Sequence, residues 1–235
     1  MRLLSWNIRQ GGGSRRAAIA AAIGALGPDL VCLQEVRRTD GPDPLLAGLT
    51  HQGLREHHLT CGDSRDNGLL IASRWPFQTE PTPTRGEAQN LPVPLLEALF
   101  PQDLRLMVVH LPQKQAQVPH FETLLKLPPA WLAQPSLLVG DFNCGIPLED
   151  SETRTFACTH LFQELLRQGW VDSWRRRHPR EREFSWFSQG KGNGFRYDHA
   201  LASPSLDGRV TAIHYVHSLR QSGLSDHSGL WLEIG

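Results

Sequence analysis

The chain has 235 residues, 40% hydrophobic and 20% charged, which is enough apolar side chain for one packed core and excludes wholesale disorder. Lys plus Arg and Asp plus Glu balance at 24 each, with a pI near 7.2, so the chain is not held on nucleic acid by overall basicity and any phosphate binding must come from a local patch. Cys32, Cys61, Cys144 and Cys158 form no C-x-x-C pair, which argues against a zinc cage or disulfide framework and fits a reducing, cytoplasmic setting; no signal peptide and no apolar run of about twenty residues suggests a membrane.

The first apolar run, 3–6 (LLSW), ends at Asn7 and runs into Gly11-Gly12-Gly13. Ser14 is placed to cap a helix over RRAAIAAAIGAL, stopped by Gly27-Pro28. Strand-length runs follow at 30–33, ended by Glu35, at 69–72, and at 104–109, ended by His110. A short helix over 121–126 is cut by Pro128-Pro129. The run 137–139 leads to Asp141, with Asn143 two residues on. Leu161, Leu165 and Leu166 have helical spacing, predicting a helix over 159–167 ended by Gly169. Runs at 199–202, 210–215 and 229–234 complete the strands. Many strands with few helices between them predict stacked sheets covered by helices, in one domain over 1–235, rather than a simple βαβ winding.

The residues that end these runs carry the chemical signal. Asn7, Glu35, His110 and Asp141 each follow a buried strand, and such tips can converge on one cleft. Each alone has an ordinary reading: a turn at Asn7, a solvated loop at Glu35, a satisfied core histidine at His110, an Asx-turn at Asp141. Asp226-His227, in GLSDHSGLW, taken alone is a strand-entry turn. Their joint occurrence favours chemistry. Glu, Asp and Asn are hard oxygen donors of the kind Mg²⁺ takes together with phosphate and water, and Asp and His beside such an ion can move protons. No P-loop, G-x-S-x-G or H-E-x-x-H is found.

Taken in order, LLSWNIR, DLVCLQEV, NGLLIASRWP, MVVHLP, LLVGDFNCG, RYDHALAS and SDHSGLWLEI resemble the endonuclease/exonuclease/phosphatase superfamily nearly from end to end. The resemblance implies an α/β fold, a four-layer sandwich of two mostly antiparallel sheets flanked by helices. It implies a divalent-metal-dependent phosphodiester hydrolase, a DNA endonuclease or exonuclease of the repair type, using Mg²⁺ with Mn²⁺ as substitute. Its partner would be nucleic acid, DNA, with no membrane and no obligate protein partner. The segment GWVDSWRRRHPREREFSWFSQGKGNGFRYDHALAS is similar to the exonuclease III and AP endonuclease branch.

Residue by residue, the resemblance makes Glu35 the main metal ligand, with Asn7 and Asp226 completing or bordering the site. Asp141 would position or deprotonate the attacking water, and Asn143 would hold that water and the phosphate. His227, oriented by Asp198, would contact the scissile phosphate. Arg196 would line the substrate channel, and Trp186 and Phe195 would wall a sugar or base pocket. Arg175, Arg176, Arg177, Arg180 and Arg182 precede Phe184, Trp186 and Phe187, and guanidinium groups beside aromatics suit a phosphate backbone with an unstacked nucleotide; a solvated charged loop is the competing reading. Two residues depart from the AP endonuclease pattern. His110, where that branch carries a tyrosine, resembles the deoxyribonuclease I, sphingomyelinase and phosphatase branches, and Arg9 resembles that side too. Likeness to deoxyribonuclease I also implies a second pair, Asp66–His110. The alternative activity is therefore a phosphatase or phosphodiesterase on a nucleotide, RNA or lipid head group.

Overall fold

The computed structural model describes residues 1–61, 65–80, 95–101, 103–153 and 156–235. The first half runs β1 (Arg2–Asn7), α1 (Arg16–Leu26), β2 (Leu30–Val36), α2 (Pro44–His51), β3 (Glu56–Leu59), β4 (Gly68–Ser73), β5 (Gln78–Glu80), β6 (Leu95–Phe100) and β7 (Leu104–His110). The second runs α3 (Val118–Leu125), α4 (Ala130–Ala133), β8 (Ser136–Asp141), α5 (Thr159–Arg167), β9 (Val171–Asp172), α6 (Ser173–Arg177), β10 (Trp186–Phe187), β11 (Gly194–Phe195), β12 (Asp198–Ala202), α7 (Pro204–Asp207), β13 (Val210–Val216), α8 (Ser218–Gln221) and β14 (Gly229–Ile234).

Among the described residues the strands make two six-stranded mixed sheets, β13-β14-β1-β2-β4-β3 and β5-β6-β7-β8-β12-β9, plus the ribbon β10-β11. Both sheets repeat one pattern. Each has a parallel central pair, β1 with β2 and β7 with β8, and antiparallel neighbours on either side. Side chains alternate across each strand. Leu3, Leu30, Cys32, Ile71 and Leu232 therefore meet Leu106, Val108, Leu137, Val139 and Ala200 in the core between the sheets. The opposite faces carry Leu4, Trp6, Val31 and Leu33 against α1 and α2, and Met107, Val109 and Leu138 against α3 and α5. The result is the four-layer α/β sandwich expected.

The eight anticipated strands all form, and α5 has the predicted bounds. Ser14 does not cap α1. It lies in a single 3-10 turn (Gly13–Arg15), Arg15 takes the N-cap position without a side-chain bond, and Gly27 (φ 65°) closes the far end. The helix placed at 121–126 starts earlier, with Pro119 in its first turn. Strand β6 (LLEALF) has no period-2 pattern; its backbone pairing with β5 and β7 imposes the strand. Among the described residues no helix is long and apolar enough to cross a membrane.

Candidate active site

The parallel pairs β1–β2 and β7–β8 deliver their C-terminal ends to the same edge of the sandwich. Asn7 ends β1 and Asp141 ends β8, and the Asn7 amide joins the sheets by donating to Glu35 Oε1 (3.1 Å) and Asp141 Oδ2 (3.0 Å). Glu35 sits in a β-bulge where the register with β4 shifts, in the left-handed region at φ 59°. A bulge re-aims one side chain out of the alternation, and here it turns Glu35 into the cleft. Its second oxygen accepts Gln10 N (2.7 Å) and Asn67 Nδ2 (3.2 Å). The Gln10 contact needs a five-residue left-handed run, Arg9 to Gly13, with φ from 49° to 74°. Three glycines make that run affordable.

Gly140 fixes the second half of the site. A Cβ there, at φ 141°, would lie 2.0 Å from Val109 O, so only glycine lets β8 approach β7 this closely. That approach registers His110 beside Asp141, while β12 registers Asp198 on the other side. His227 then reaches across from the opposite sheet. Its Nδ1 lies 2.9 Å from Asp198 Oδ2 and its Nε2 lies 3.8 Å from Asp141 Oδ2. Trp6 Nε1 donates to the His227 carbonyl (2.9 Å), and Ser225 Oγ donates to Asn7 O (2.6 Å) and accepts His227 N (3.2 Å). The turn SDH is thus bolted to the end of β1. The Trp186 indole N–H donates to Asp226 Oδ2 (3.2 Å) and orients that carboxylate.

These groups border a cleft of about 210 Å³ lined by Glu35, His110, Asp141, Asn143, Trp186, Asp226 and His227, with Leu111, Pro112, Gln113 and Tyr197. Burial would push His227 down, but Asp198, helped by Asp141 and Asp226, outweighs it and lifts the imidazole to about 9. Burial raises Asp141, against the pull of His227. Burial, with Asp141 and Cys144, takes Tyr197 up to about 12.

Asp141, Asp198 and His227 bring ligand atoms within 4.8 Å of one another. That buried trio is a poor cage, because Asp198 holds the His227 ring protonated, and an imidazolium has no lone pair to offer a cation. Glu35 and Asp226 are a better set for a hard divalent cation, being carboxylate oxygen donors on the open wall of the cleft; Asn7, whose amide oxygen accepts the Arg9 N–H, borders them. The charge count supports the fit: three carboxylates, Glu35, Asp141 and Asp226, line the cleft with two imidazoles, His110 and His227.

Most residues expected at the site converge; some do not. Arg196 does not line the channel. It is 0% exposed and forms an ion triad with Asp150 (2.7 Å) and Asp172 (2.6 Å). Its position between Phe195 and Tyr197 concealed two acidic partners distant in sequence. Phe195 stacks on Tyr197 (5.1 Å) and supports Trp186 from behind rather than facing the cleft. Arg9 is exposed two residues from Asn7, whose Oδ1 accepts its backbone N–H (3.0 Å). Among the described residues no ion pair joins exposed Asp66 to His110; His110 Nε2 faces Glu35 Oε1 at 3.8 Å. Of the arginine cluster, Arg175 pairs with Asp150, and Arg176 and Arg177 pair with Asp207. Asn67, Tyr197 and Ser225 were not singled out in the sequence. Asn67 stands in the N-G turn before β4 and Tyr197 inside R-Y-D-H, so strand-entry position was the available signal.

Fold and cleft together define a two-sheet α/β sandwich with carboxylates, an amide and imidazoles gathered where its two parallel strand pairs end. The chain belongs to the Endonuclease/Exonuclease/phosphatase family, whose pattern matches residues 4–227. Similar solved structures include the 3′ phosphatase NExo from Neisseria bound to a product DNA hairpin, 21% identical with a TM-score of 0.85 over 100% of this chain and 99% of that one. An AP endonuclease from Archaeoglobus fulgidus is 20% identical at TM-score 0.84, over 100% and 99%. The 3′-5′ exonuclease NExo from Neisseria meningitidis is 22% identical at 0.81, again over 100% and 99%.

Proposed function

We propose that the chain is a single catalytic domain that hydrolyses phosphodiester bonds in DNA with a divalent metal, Mg²⁺ or Mn²⁺, in the cytoplasm. The carrying observation is the Asp198–His227–Asp141 line across the sheets, set beside the Glu35–Asp226 wall. The DNA substrate is supported by the similar solved structures, a 3′ phosphatase bound to a product DNA hairpin and an AP endonuclease. Glu35, Asp226 and Asn7 would hold the ion, which would polarise the scissile phosphate and offset its charge. Asp141, buried and raised, accepts a proton from the attacking water, whose oxygen forms the new P–O bond. Asn143 spends one amide proton on Leu111 O (2.9 Å) and keeps the other for that water or the phosphate. The 3.8 Å gap between His227 Nε2 and Asp141 Oδ2 lets both groups act on one phosphate group. His227, held protonated by Asp198, stabilises the phosphorane charge and gives its proton to the leaving 3′ oxygen as the P–O bond breaks. The products are a 3′-hydroxyl and a 5′-phosphate. Trp186, with Phe195 behind it, walls the pocket, and Arg9 supplies a cation at the rim.

A second reading, a phosphatase or phosphodiesterase on a nucleotide, RNA or lipid head group, is favoured by His110 lining the cleft 3.8 Å from Glu35. A substrate panel with chelator controls separates the two. Cleavage of abasic, nicked or plain duplex DNA under Mg²⁺ or Mn²⁺, abolished by chelator, is the expected result. Turnover of a small phosphodiester with every DNA untouched would overturn the DNA reading and leave the second.

A further inference from the structure

The ribbon β10–β11 crosses the rim of the cleft. It bridges to His227 through Trp186 on one side and to Ser151 through Phe195 on the other. On this ribbon Phe187 is 37% exposed, and with Leu148 it makes up the exposed large hydrophobics among the described residues. Phe187 meets Phe184 edge-on (6.0 Å). The Arg182 guanidinium lies over Phe184 (5.6 Å) and that of Arg220 over Phe187 (4.5 Å). The row Arg182–Phe184–Phe187–Arg220 therefore sets two adjoining rings between two cations along the rim.

Both cations remain available to an anion. Among the described residues neither arginine pairs with a carboxylate: Arg182 donates to Ser151 O (3.0 Å) and Arg220 to Ser228 Oγ (3.1 Å). The nearby acid, Glu183, is taken by His217 (3.2 Å), whose other ring nitrogen meets the same Ser228 hydroxyl (2.9 Å). Arg220 is thus held by the residue next to His227. An exposed ring, Phe187, and its half-buried neighbour Phe184, flanked by guanidinium groups with no carboxylate partner, fit one chemistry, an unstacked base on the ring with its phosphate on the cation.

We propose that Phe187 and Arg220, extended by Phe184 and Arg182, form a stacking platform for an unpaired nucleotide of a DNA strand whose scissile phosphate lies in the cleft. The inference rests on the DNA reading above and assigns the strand-binding part of that site. It also relocates the cation–aromatic patch suggested by the arginine run: three of those arginines serve acidic partners, and the principal cation, Arg220, comes from α8.

The test uses a DNA hairpin with a frayed end carrying 2-aminopurine at the unpaired position, with the full chain and Ca²⁺ to hold binding apart from turnover. Wild type quenches the probe by stacking. Phe187→Ala abolishes the quench and raises the KM for frayed DNA about tenfold under Mg²⁺, the size expected for loss of one stacked base. Phe187→Trp restores both, and Arg220→Met raises KM with a steeper loss at low salt, where cation–phosphate contacts count most. Leu148→Ala, exposed but off the row, leaves the quench intact. A wild-type protein that binds without quenching, or a Phe187→Ala variant that quenches as wild type does, overturns the platform. Absence of metal-dependent DNA cleavage by wild type that does quench overturns the reaction and leaves the platform standing.

Discussion

Asp198→Asn isolates the charge that sets the state of His227. The imidazole is largely buried, yet its pKa rises from an ordinary 6.5 to about 9 because Asp198, at 2.9 Å, outweighs desolvation. A rise of that size corresponds to roughly 3 kcal/mol in favour of the imidazolium. Asparagine keeps the shape and removes the largest of the charges that hold the proton, so the His227 titration falls from about 9 toward its ordinary value. In wild type the proton on His227 is present at neutral pH and lost as pH rises through about 9, so phosphodiester turnover falls on that alkaline side. In the variant the ring is neutral at pH 7.5, turnover there falls about a hundred- to ten-thousandfold, and activity recovers as the pH is lowered. The assay is a pH–kcat profile on a small phosphodiester, paired with ¹⁵N NMR titration of His227 in metal-free protein. Circular dichroism checks the fold, which the Tyr215 bond to the Asp198 carbonyl (2.5 Å) and the β12 ladder maintain. An alkaline limb still near 9 in the variant, or an unmoved His227 titration, would refute the assignment.

Glu35→Gln should lose metal-dependent turnover while melting no lower than wild type, and its melting temperature should no longer rise with added Mg²⁺; a retained Mg²⁺ shift in differential scanning fluorimetry counts against Glu35 as ligand. Gly140→Ala forces a Cβ to within 2.0 Å of Val109 O and should cost at least about 1–3 kcal/mol by urea denaturation, separating His110 from Asp141 as it does so. Arg196→Met leaves Asp150 and Asp172 buried without their cation and should cost about 3–5 kcal/mol; a variant as stable as wild type would show the triad to be dispensable. Asp150 and Asp172 are drawn below the ordinary carboxylate range because Arg196 overcomes desolvation. A depressed folded-state pKa gives stability that is present above the unfolded value near 3.8 and lost as pH falls below it. Urea midpoints should therefore drop steeply below about pH 4 in wild type and less steeply in Arg196→Met.

The strand tips that meet in the cleft were legible because each lies at the C-terminal end of a short buried strand, and a strand has one such end to offer. Asn7, His110 and Asp141 need only that their strands be parallel and central, which they are, while Glu35 needs the bulge before Val36 as well. Asp226 and His227 were legible by resemblance, since S-D-H alone is a turn. Arg196 was misplaced because a sequence shows charge but not pairing: its partners Asp150 and Asp172 lie 46 and 24 residues away. The arginine run misled for the same reason, as Asp207 takes two of its members. Asn67 was passed over because N-G reads as turn chemistry, and its work on Glu35 depends on a bulge that no local pattern announces.

The pairs that define the site cross between the sheets. Asn7 belongs to one sheet and Asp141 to the other; the same division separates Glu35 from His110 and His227 from Asp198. None of these pairs can form within a single sheet, so the site exists only when the apolar core between the sheets is closed. A hydrogen bond of this kind contributes only about 0.5–1.5 kcal/mol net, or up to about 3 when a charge is involved. The apolar layer removes far more surface from water, and its contribution is in proportion to that area. The driving force for assembly is therefore the core, while the cross-sheet bonds choose register. That division explains why carboxylates can be gathered at one edge. Their mutual repulsion is borne by a sandwich whose stability lies elsewhere, and it is relieved by the His227 imidazolium that Asp198 holds in place and would be relieved further by the proposed cation.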